Sequence, residues 1–159
     1  MAIRLTKLSH LVLRVRDLER SQAFYRDVLG LPLAGEIPGR MAFFSAGPDS
    51  HDLALMAVGR DAPGPDPRRV GMYHFAYQVE SFEALREAYW HLLEHGVQVV
   101  GSANHGVSMG VYLLDPDGNE IELTYEVPRA QWPTSANPFA GVEPLDFGER
   151  PQAAAKAVE

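Results

Sequence analysis

Alternating hydrophobic and polar residues appear twice in the chain, each time just ahead of a segment with helical periodicity. The two segments are HLVLRVRDLERSQAFYRDVLG from His10 and HFAYQVESFEALREAYWHLLEHG from His74, sixty-four residues later. The alternation predicts a strand, and the longer period that follows predicts an amphipathic helix. The expected N-cap and terminating glycine are Asp17 and Gly30 in the first segment, and Ser81 and Gly96 in the second. The sequence therefore predicts two copies of one strand–helix unit.

Three short strand-like runs follow each predicted helix. They are LPLAGEI, RMAFFSA and DLALMAV in the first copy, and VQVVGSA, GVYLLD and NEIELTY in the second. Each copy predicts the order β-α-β-β-β, so we expect an α+β fold of two βαβββ modules that form one metal-binding cleft. The modules occupy about 5–58 and 72–126 of a single domain over 1–126, joined by a Gly/Pro-rich linker at 59–71.

Residues 127–159 lose all periodicity. We expect an extended C-terminal tail that packs locally through Trp132, Phe139 and Phe147 and frays at its Ala-rich end.

Composition narrows the class of protein. The 159 residues are 46% hydrophobic, which is ample for a core, and the formal charge of −7 argues against a nucleic-acid partner and against docking on an anionic membrane. No apolar run approaches membrane-spanning length, and no signal-peptide pattern opens the chain, so we expect a soluble, cytoplasmic protein. The absence of cysteine leaves histidine and carboxylate as the metal ligands.

The last strands of the two copies differ at one informative position. Aligning HDLAL with NEIEL places Ala54 over Glu122, a carboxylate set among hydrophobic residues. Carboxylates are rarely buried unless they are paired or bind a metal. If equivalent strands of two modules meet at a cleft, His10, His74 and Glu122 come together there. Two imidazoles and one carboxylate form the facial triad of non-haem Fe(II) oxygenases, a set that also holds Mn or Zn.

The motif HGVSMGVYLLDPDGNEIEL, together with the paired modules, resembles the vicinal oxygen chelate superfamily and, within it, the type I extradiol ring-cleaving dioxygenases. The resemblance spans about Leu5 to Tyr125. It implies that His10, His74 and Glu122 bind Fe(II), with Mn(II) as a possible substitute. His105 and Tyr112 match a histidine and a tyrosine that precede the glutamate in that branch.

The resemblance also implies the chemistry. The expected reaction is cleavage of the aromatic ring of a catechol by O2, with a small aromatic diol and O2 as partners and a role in aromatic hydrocarbon catabolism. His51, which opens the last strand of the first module, is the expected acid–base residue, because imidazole titrates near neutrality. His105 and Tyr112 are expected to orient the catecholate. We also expect a homo-oligomer, since the predicted sheets leave exposed edges.

Other functions stay open. A metal-dependent thiol transferase of the fosfomycin-resistance type uses two histidines and one glutamate as well, but does not need His51, His105 and Tyr112 around the metal. A glyoxalase-type lyase is disfavoured because Ala54 supplies no fourth ligand. A non-enzymatic binding protein is the remaining alternative. Each residue also has a structural interpretation: His105 as a loop histidine, Tyr112 as a packing residue and His51 as a turn residue beside Asp52.

Overall fold

A computed structural model describes residues 3–150 of the chain. The chain divides into two compact units. Of the described residues, unit 1 comprises 3–71 together with Asp115–Asn119, and unit 2 comprises Met72–Leu114 together with 120–150. The Ala-rich end of the predicted tail lies outside the described residues. No helix among the described residues is both long enough and apolar enough to cross a membrane.

Unit 1 is built from four strands and one helix, in the predicted order. The elements are β1 (Leu11–Val15), α1 (Leu18–Ala23), β2 (Leu33–Ile37), β3 (Met41–Phe44) and β4 (Leu53–Ala57). The sheet order is β1-β4-β3-β2, with β1 parallel to β4 and the other pairs antiparallel. Helix α1 packs on β3 and β4. The fully buried core includes Tyr25, Phe44 and Leu55.

Unit 2 repeats the same topology. The elements are β5 (His74–Gln78), α2 (Phe82–Glu94), β6 (Val99–Asn104), β7 (Ser108–Leu114) and β8 (Glu120–Glu126). The sheet order is β5-β8-β7-β6, again with the first and last strands parallel. Helix α2 packs on β7 and β8, and the core includes Leu85, Leu92 and Ile121. The predicted α+β fold of two βαβββ modules is confirmed.

Both helices begin at the predicted caps. The Asp17 carboxylate accepts a hydrogen bond from the Arg20 backbone N–H, and the Ser81 hydroxyl accepts one from the Ala84 N–H. Gly30 and Gly96 follow the helices with φ of 71° and 66°, the left-handed conformation that favours glycine. The first helix departs from prediction in one respect, because it continues after Ala23 as a π-helical turn, Phe24–Val28.

Strand register confirms the alignment of the two modules. Val12 lies opposite Ala54 in the first sheet, and Ala76 lies opposite Glu122 in the second. A register shift interrupts the β2·β3 pair between Leu33 and Gly35, and the same irregularity occurs between Val99 and Gly101 in the β6·β7 pair. The repeat therefore extends to the bulges.

The turn between β7 and β8 is buried within unit 1. The Asp117 carboxylate accepts hydrogen bonds from the Arg16 backbone N–H, the Arg20 guanidinium (2.6 Å) and the Ser21 hydroxyl. The Tyr25 hydroxyl donates to Asp115 at 2.9 Å. Because a buried carboxylate is costly without partners, these bonds are what allow Asp115 and Asp117 to be buried in this turn.

The described part of the tail is anchored on unit 2. Asn104, at the end of edge strand β6, forms a two-residue antiparallel bridge with Glu143. Phe147 is buried, stacks on Tyr89 with ring centroids 4.4 Å apart, and its carbonyl accepts a hydrogen bond from Arg86. Trp132 instead stays near the sheet end, where its indole N–H donates to the Val127 carbonyl. The tail thus covers one edge of the second sheet.

Candidate metal and catalytic site

Unit 2 gathers four of the six predicted site residues. Register places Glu122 of β8 opposite both Ala76 of β5 and Tyr112 of β7. His74 at the start of β5 reaches the same carboxylate, with its Nε2 atom 3.3 Å from Glu122 Oε2. Both side chains are largely buried, with 27% of His74 and 11% of Glu122 exposed. An imidazole nitrogen and a carboxylate oxygen therefore converge without an intervening side chain.

A hydrogen-bond chain leads away from this pair. The Tyr112 hydroxyl donates to Glu122 Oε1 at 3.3 Å, and His105 Nε2 lies 2.9 Å from the Tyr112 oxygen. Burial of the phenol, followed by the charge of Glu122, raises the pKa of Tyr112 to about 12. Tyr112 thus keeps its proton at neutral pH in this arrangement and can donate a hydrogen bond to the carboxylate. With Tyr112 donating, His105 takes the donor role toward the phenol oxygen.

A glycine makes room for the carboxylate. Gly110 of β7 lies beside Glu122, and a Cβ atom at position 110 would overlap the carboxylate of Glu122. The equivalent register position in the first module is Met41, two residues before Phe43, which pairs with Ala54. The space that the Glu122 carboxylate occupies is therefore specific to the second module.

Glu120 is a site residue that the sequence analysis did not identify. Its Oε1 atom lies 3.5 Å from His74 Nδ1, on the far side of the imidazole from Glu122. That distance is in the range of an ion pair, yet Nδ1 is buried and has no hydrogen-bond partner among the described residues. A carboxylate beside the second ring nitrogen is the arrangement that orients a metal-binding histidine. Strand alternation could have identified Glu120 from the sequence, because it places residues 120 and 122 on the same face of the strand.

Unit 1 holds the other two predicted residues, His10 and His51. Their ring centroids are 4.5 Å apart, and the His51 ring also contacts Phe43 edge-on at 5.3 Å. His51 Nδ1 lies 3.1 Å from the Ser50 hydroxyl. His10 immediately precedes β1, and His51 comes two residues before β4. The parallel pairing of β1 with β4 therefore explains why residues forty-one positions apart meet.

The set His10, His74 and Glu122 takes one residue from unit 1 and two from unit 2. Among the described residues, no group of three or more histidine and carboxylate side chains lies together as a metal site. The donor types nevertheless suit a metal, and the buried Nδ1 of His74 and the space at Gly110 fit a ligand role for His74 and Glu122. The three-residue set stays a prediction.

Comparisons with known proteins agree with this architecture. A catechol-2,3-dioxygenase of Bacillus subtilis is 35% identical over 129 residues, which is 80% of this chain and 44% of that protein. The glutathione transferase FosA of Serratia marcescens is 32% identical over 122 residues, covering 75% of this chain and 80% of that protein. A glyoxalase/dioxygenase structure from Nostoc punctiforme matches with a TM-score of 0.65 at 24% identity, over 80% of this chain and 99% of that one.

The match in length differs between these relatives. This chain spans about half the length of three dioxygenase relatives that it matches, between 44% and 62%. The model of the Glyoxalase/Bleomycin resistance protein/Dioxygenase superfamily matches residues 7–123. That match extends from the residues before β1 into β8 and covers both modules. The chain belongs to the glyoxalase/bleomycin resistance/dioxygenase superfamily.

Proposed function

We propose that the protein is an Fe(II)-dependent extradiol dioxygenase that cleaves the ring of a catechol-type substrate with O2. The observation that carries this proposal is the hydrogen-bond chain from His105 through Tyr112 to Glu122, beside the His74–Glu122 pair. Superfamily relatives include a catechol-2,3-dioxygenase and two biphenyl-2,3-diol 1,2-dioxygenases, which supports the same reaction.

His10, His74 and Glu122 would hold the metal, with Mn(II) as the alternative to Fe(II). When bound, the metal would supply a common site for the diol and O2 and a path for electron density between them. Glu120 would hold the His74 ring so that Nε2 faces the metal.

The polar residues around this set would handle protons. A catechol must lose protons on binding, and His105 and Tyr112 offer a hydrogen-bond relay at the edge of the carboxylate. Tyr112 Oη carries a proton that it can share with a bound phenolate oxygen. His51 would donate or accept a proton, and its ring contact with His10 supports a location next to that proposed ligand.

A thiol transferase is the second candidate. The supporting observation is length, because the chain spans 80% of the FosA relative but less than two thirds of each ring-cleaving relative. In that function His74 and Glu122 keep their roles, while the relay through Tyr112 has no assigned purpose. Removal of the Tyr112 hydroxyl therefore discriminates between the two.

The test is O2 uptake by protein loaded anaerobically with Fe(II), given a panel of catechols, with the visible spectrum recorded. Stoichiometric uptake with a new yellow chromophore is the expected result. Tyr112→Phe should retain iron and lose about 100-fold in kcat/KM, the lower end for acid–base catalysis. Tyr89→Phe removes a hydroxyl from the α2–tail contact and is the matched control. Firmly bound metal without O2 uptake would favour the transferase, which a glutathione-consumption assay then tests.

A further inference from the structure

The linker between the modules borders a partly open cavity in unit 1 that the proposed reaction does not use. Its volume is about 330 Å³, within the range of small-ligand sites, which begins near 300 Å³. It lies between the end of β1, the residue after β4 and the linker. The lining includes two guanidinium groups, one carboxylate and apolar residues: Arg14, Arg16, Asp117, Val58, Pro63 and Pro65.

Arg16 builds the wall of this cavity. Its Nε atom donates to the Ala62 carbonyl at 2.8 Å, and the guanidinium lies 3.7 Å from Asp117. A Cβ atom at Gly64 would overlap the Arg16 guanidinium, so the linker backbone packs directly on that side chain. Arg16 thus shares the Asp117 carboxylate with Arg20, and its Nε donor holds the linker in place.

Arg14 differs from Arg16 because its charge is not offset. It lines the cavity, and the described residues contain neither a carboxylate in ion-pair contact with its guanidinium nor a hydrogen-bond acceptor for it. A neighbouring hollow of about 490 Å³ provides a contrast, since its Arg68 and Arg69 are both ion-paired with Asp66. In a chain with a formal charge of −7, an unpaired guanidinium facing a cavity is a local exception.

The chemistry of the lining defines the ligand. A guanidinium presents a planar set of donors that matches the two oxygens of a carboxylate or a phosphate. Val58, Pro63 and Pro65 add apolar surface beside it. We propose that this cavity binds a small ligand that carries an oxyanion, a carboxylate or a phosphate, on an apolar body.

This site is separate from His10, the unit 1 member of the proposed metal set. Arg14 lies four residues after His10, about 13 Å along the strand at roughly 3.3 Å per residue. Binding there can therefore be measured on the full chain in the presence of a chelator. A failure of the dioxygenase proposal would leave this measurement unaffected.

The experiment is a titration of the ¹⁵N-labelled full chain with benzoate, phenyl phosphate and neutral benzamide at low salt. The expected result is saturable shifts at Arg14 and at residues 58–65 with benzoate or phenyl phosphate, and at least about tenfold weaker binding of benzamide. The anion that binds more tightly identifies the oxyanion. Absence of saturation with both anions, or shifts that map elsewhere, would overturn the proposal.

Two variants separate recognition from general charge. Arg14→Gln should weaken anion binding by at least about tenfold, because it removes a charge-assisted hydrogen bond. Arg26→Gln removes one positive charge from an exposed position that pairs with Asp27, and should bind the anion like the unaltered protein. Equal affinity in Arg14→Gln, or equal weakening in Arg26→Gln, would contradict a specific site at Arg14. Arg14 is exposed, so its replacement should leave the fold intact, as the amide spectrum will report.

Discussion

The two modules share a topology, a parallel first–last strand pair and a bulge, yet only one of them builds a polar site inside its own sheet. In the first module Ala54 lies between Val12 and Phe43, and the equivalent positions in the second hold Glu122, Ala76 and Tyr112. Two paired positions thus change from apolar to polar while the backbone pairing is conserved. The comparison shows that the sheet is a shared scaffold and that a few side chains on one face determine its chemistry.

The largest expected effect, on metal binding, comes from replacing the glutamate of the second module with the alanine of the first. Glu122→Ala gives the second module the residue found at Ala54, and should weaken Fe(II) or Mn(II) binding by more than about 100-fold, because even partners of a ligand contribute about 10–100-fold. Metal content after equilibrium dialysis is the measurement. Glu126→Ala, at the exposed end of the same strand, is the control. Retention of metal by Glu122→Ala would remove this residue from the ligand set.

The modules also differ in whether another segment of the chain pairs with their edge strands. Strand β6 meets the tail, whereas β2 ends its sheet with Leu33 and Ile37 about two-fifths exposed. Phe147→Ala should lower the free energy of unfolding by about 3 kcal/mol, the lower end for a buried phenylalanine. Chemical denaturation measures it. Phe139→Ala, in the same tail but 66% exposed, should change stability by less than about 0.5 kcal/mol. Equal effects would mean that the tail does not depend on the Phe147 contact.

Much of this architecture was predictable because it follows from local hydrophobic periodicity and from helix-capping residues. Strand alternation located the strands of the described residues, helix periodicity located the two helices, and the repeat placed Glu122 over Ala54. The N-caps Asp17 and Ser81 and the terminators Gly30 and Gly96 are local signals too. These features depend on residues a few positions apart, which is the range over which periodicity and capping act.

Features that depend on distant contacts were not predictable in the same way. The DPDG sequence indicates a turn, but the burial of Asp115 and Asp117 follows from Tyr25 and Arg20, which lie 90 and 97 residues away. Composition predicted a Gly/Pro-rich linker at 59–71, whereas the packing of its Gly64 on Arg16 beside a cavity depends on residues far apart in the sequence. Composition shows which residue types a segment contains, but it does not show which distant residues that segment contacts in the fold.

Gly110 is a further difference between the two modules. It makes room for the Glu122 carboxylate, whereas the equivalent position of the first module holds Met41. Gly110→Ala should cost about 2 kcal/mol of stability through overpacking against the carboxylate and should weaken metal binding. Thermal or chemical denaturation measures the cost. Gly35→Ala, where an added Cβ meets no atom within 4 Å, is the matched control in the first module.

A double variant tests the cause of that cost. In Gly110→Ala/Glu122→Ala the overlap disappears, so the added methyl group should cost much less than it does beside Glu122. Two variants in contact should then be non-additive. An unchanged cost in the double variant would mean that Gly110 is required by the backbone of β7 and not by the carboxylate.

The smallest expected effect concerns Glu120, which has no role assigned by the repeat. It lies opposite His74 in the β5·β8 register and approaches Nδ1, so it can favour the tautomer whose Nε2 is free to bind a metal. Glu120→Gln keeps the shape but removes the charge, and should weaken metal binding by about tenfold without unfolding the protein. The histidine ¹⁵N spectrum gives an independent measurement, because loss of the partner should shift His74 toward a mixture of tautomers. Unchanged metal affinity together with an unchanged spectrum would make Glu120 a bystander, and Glu122 would then account alone for the carboxylate chemistry of the second sheet.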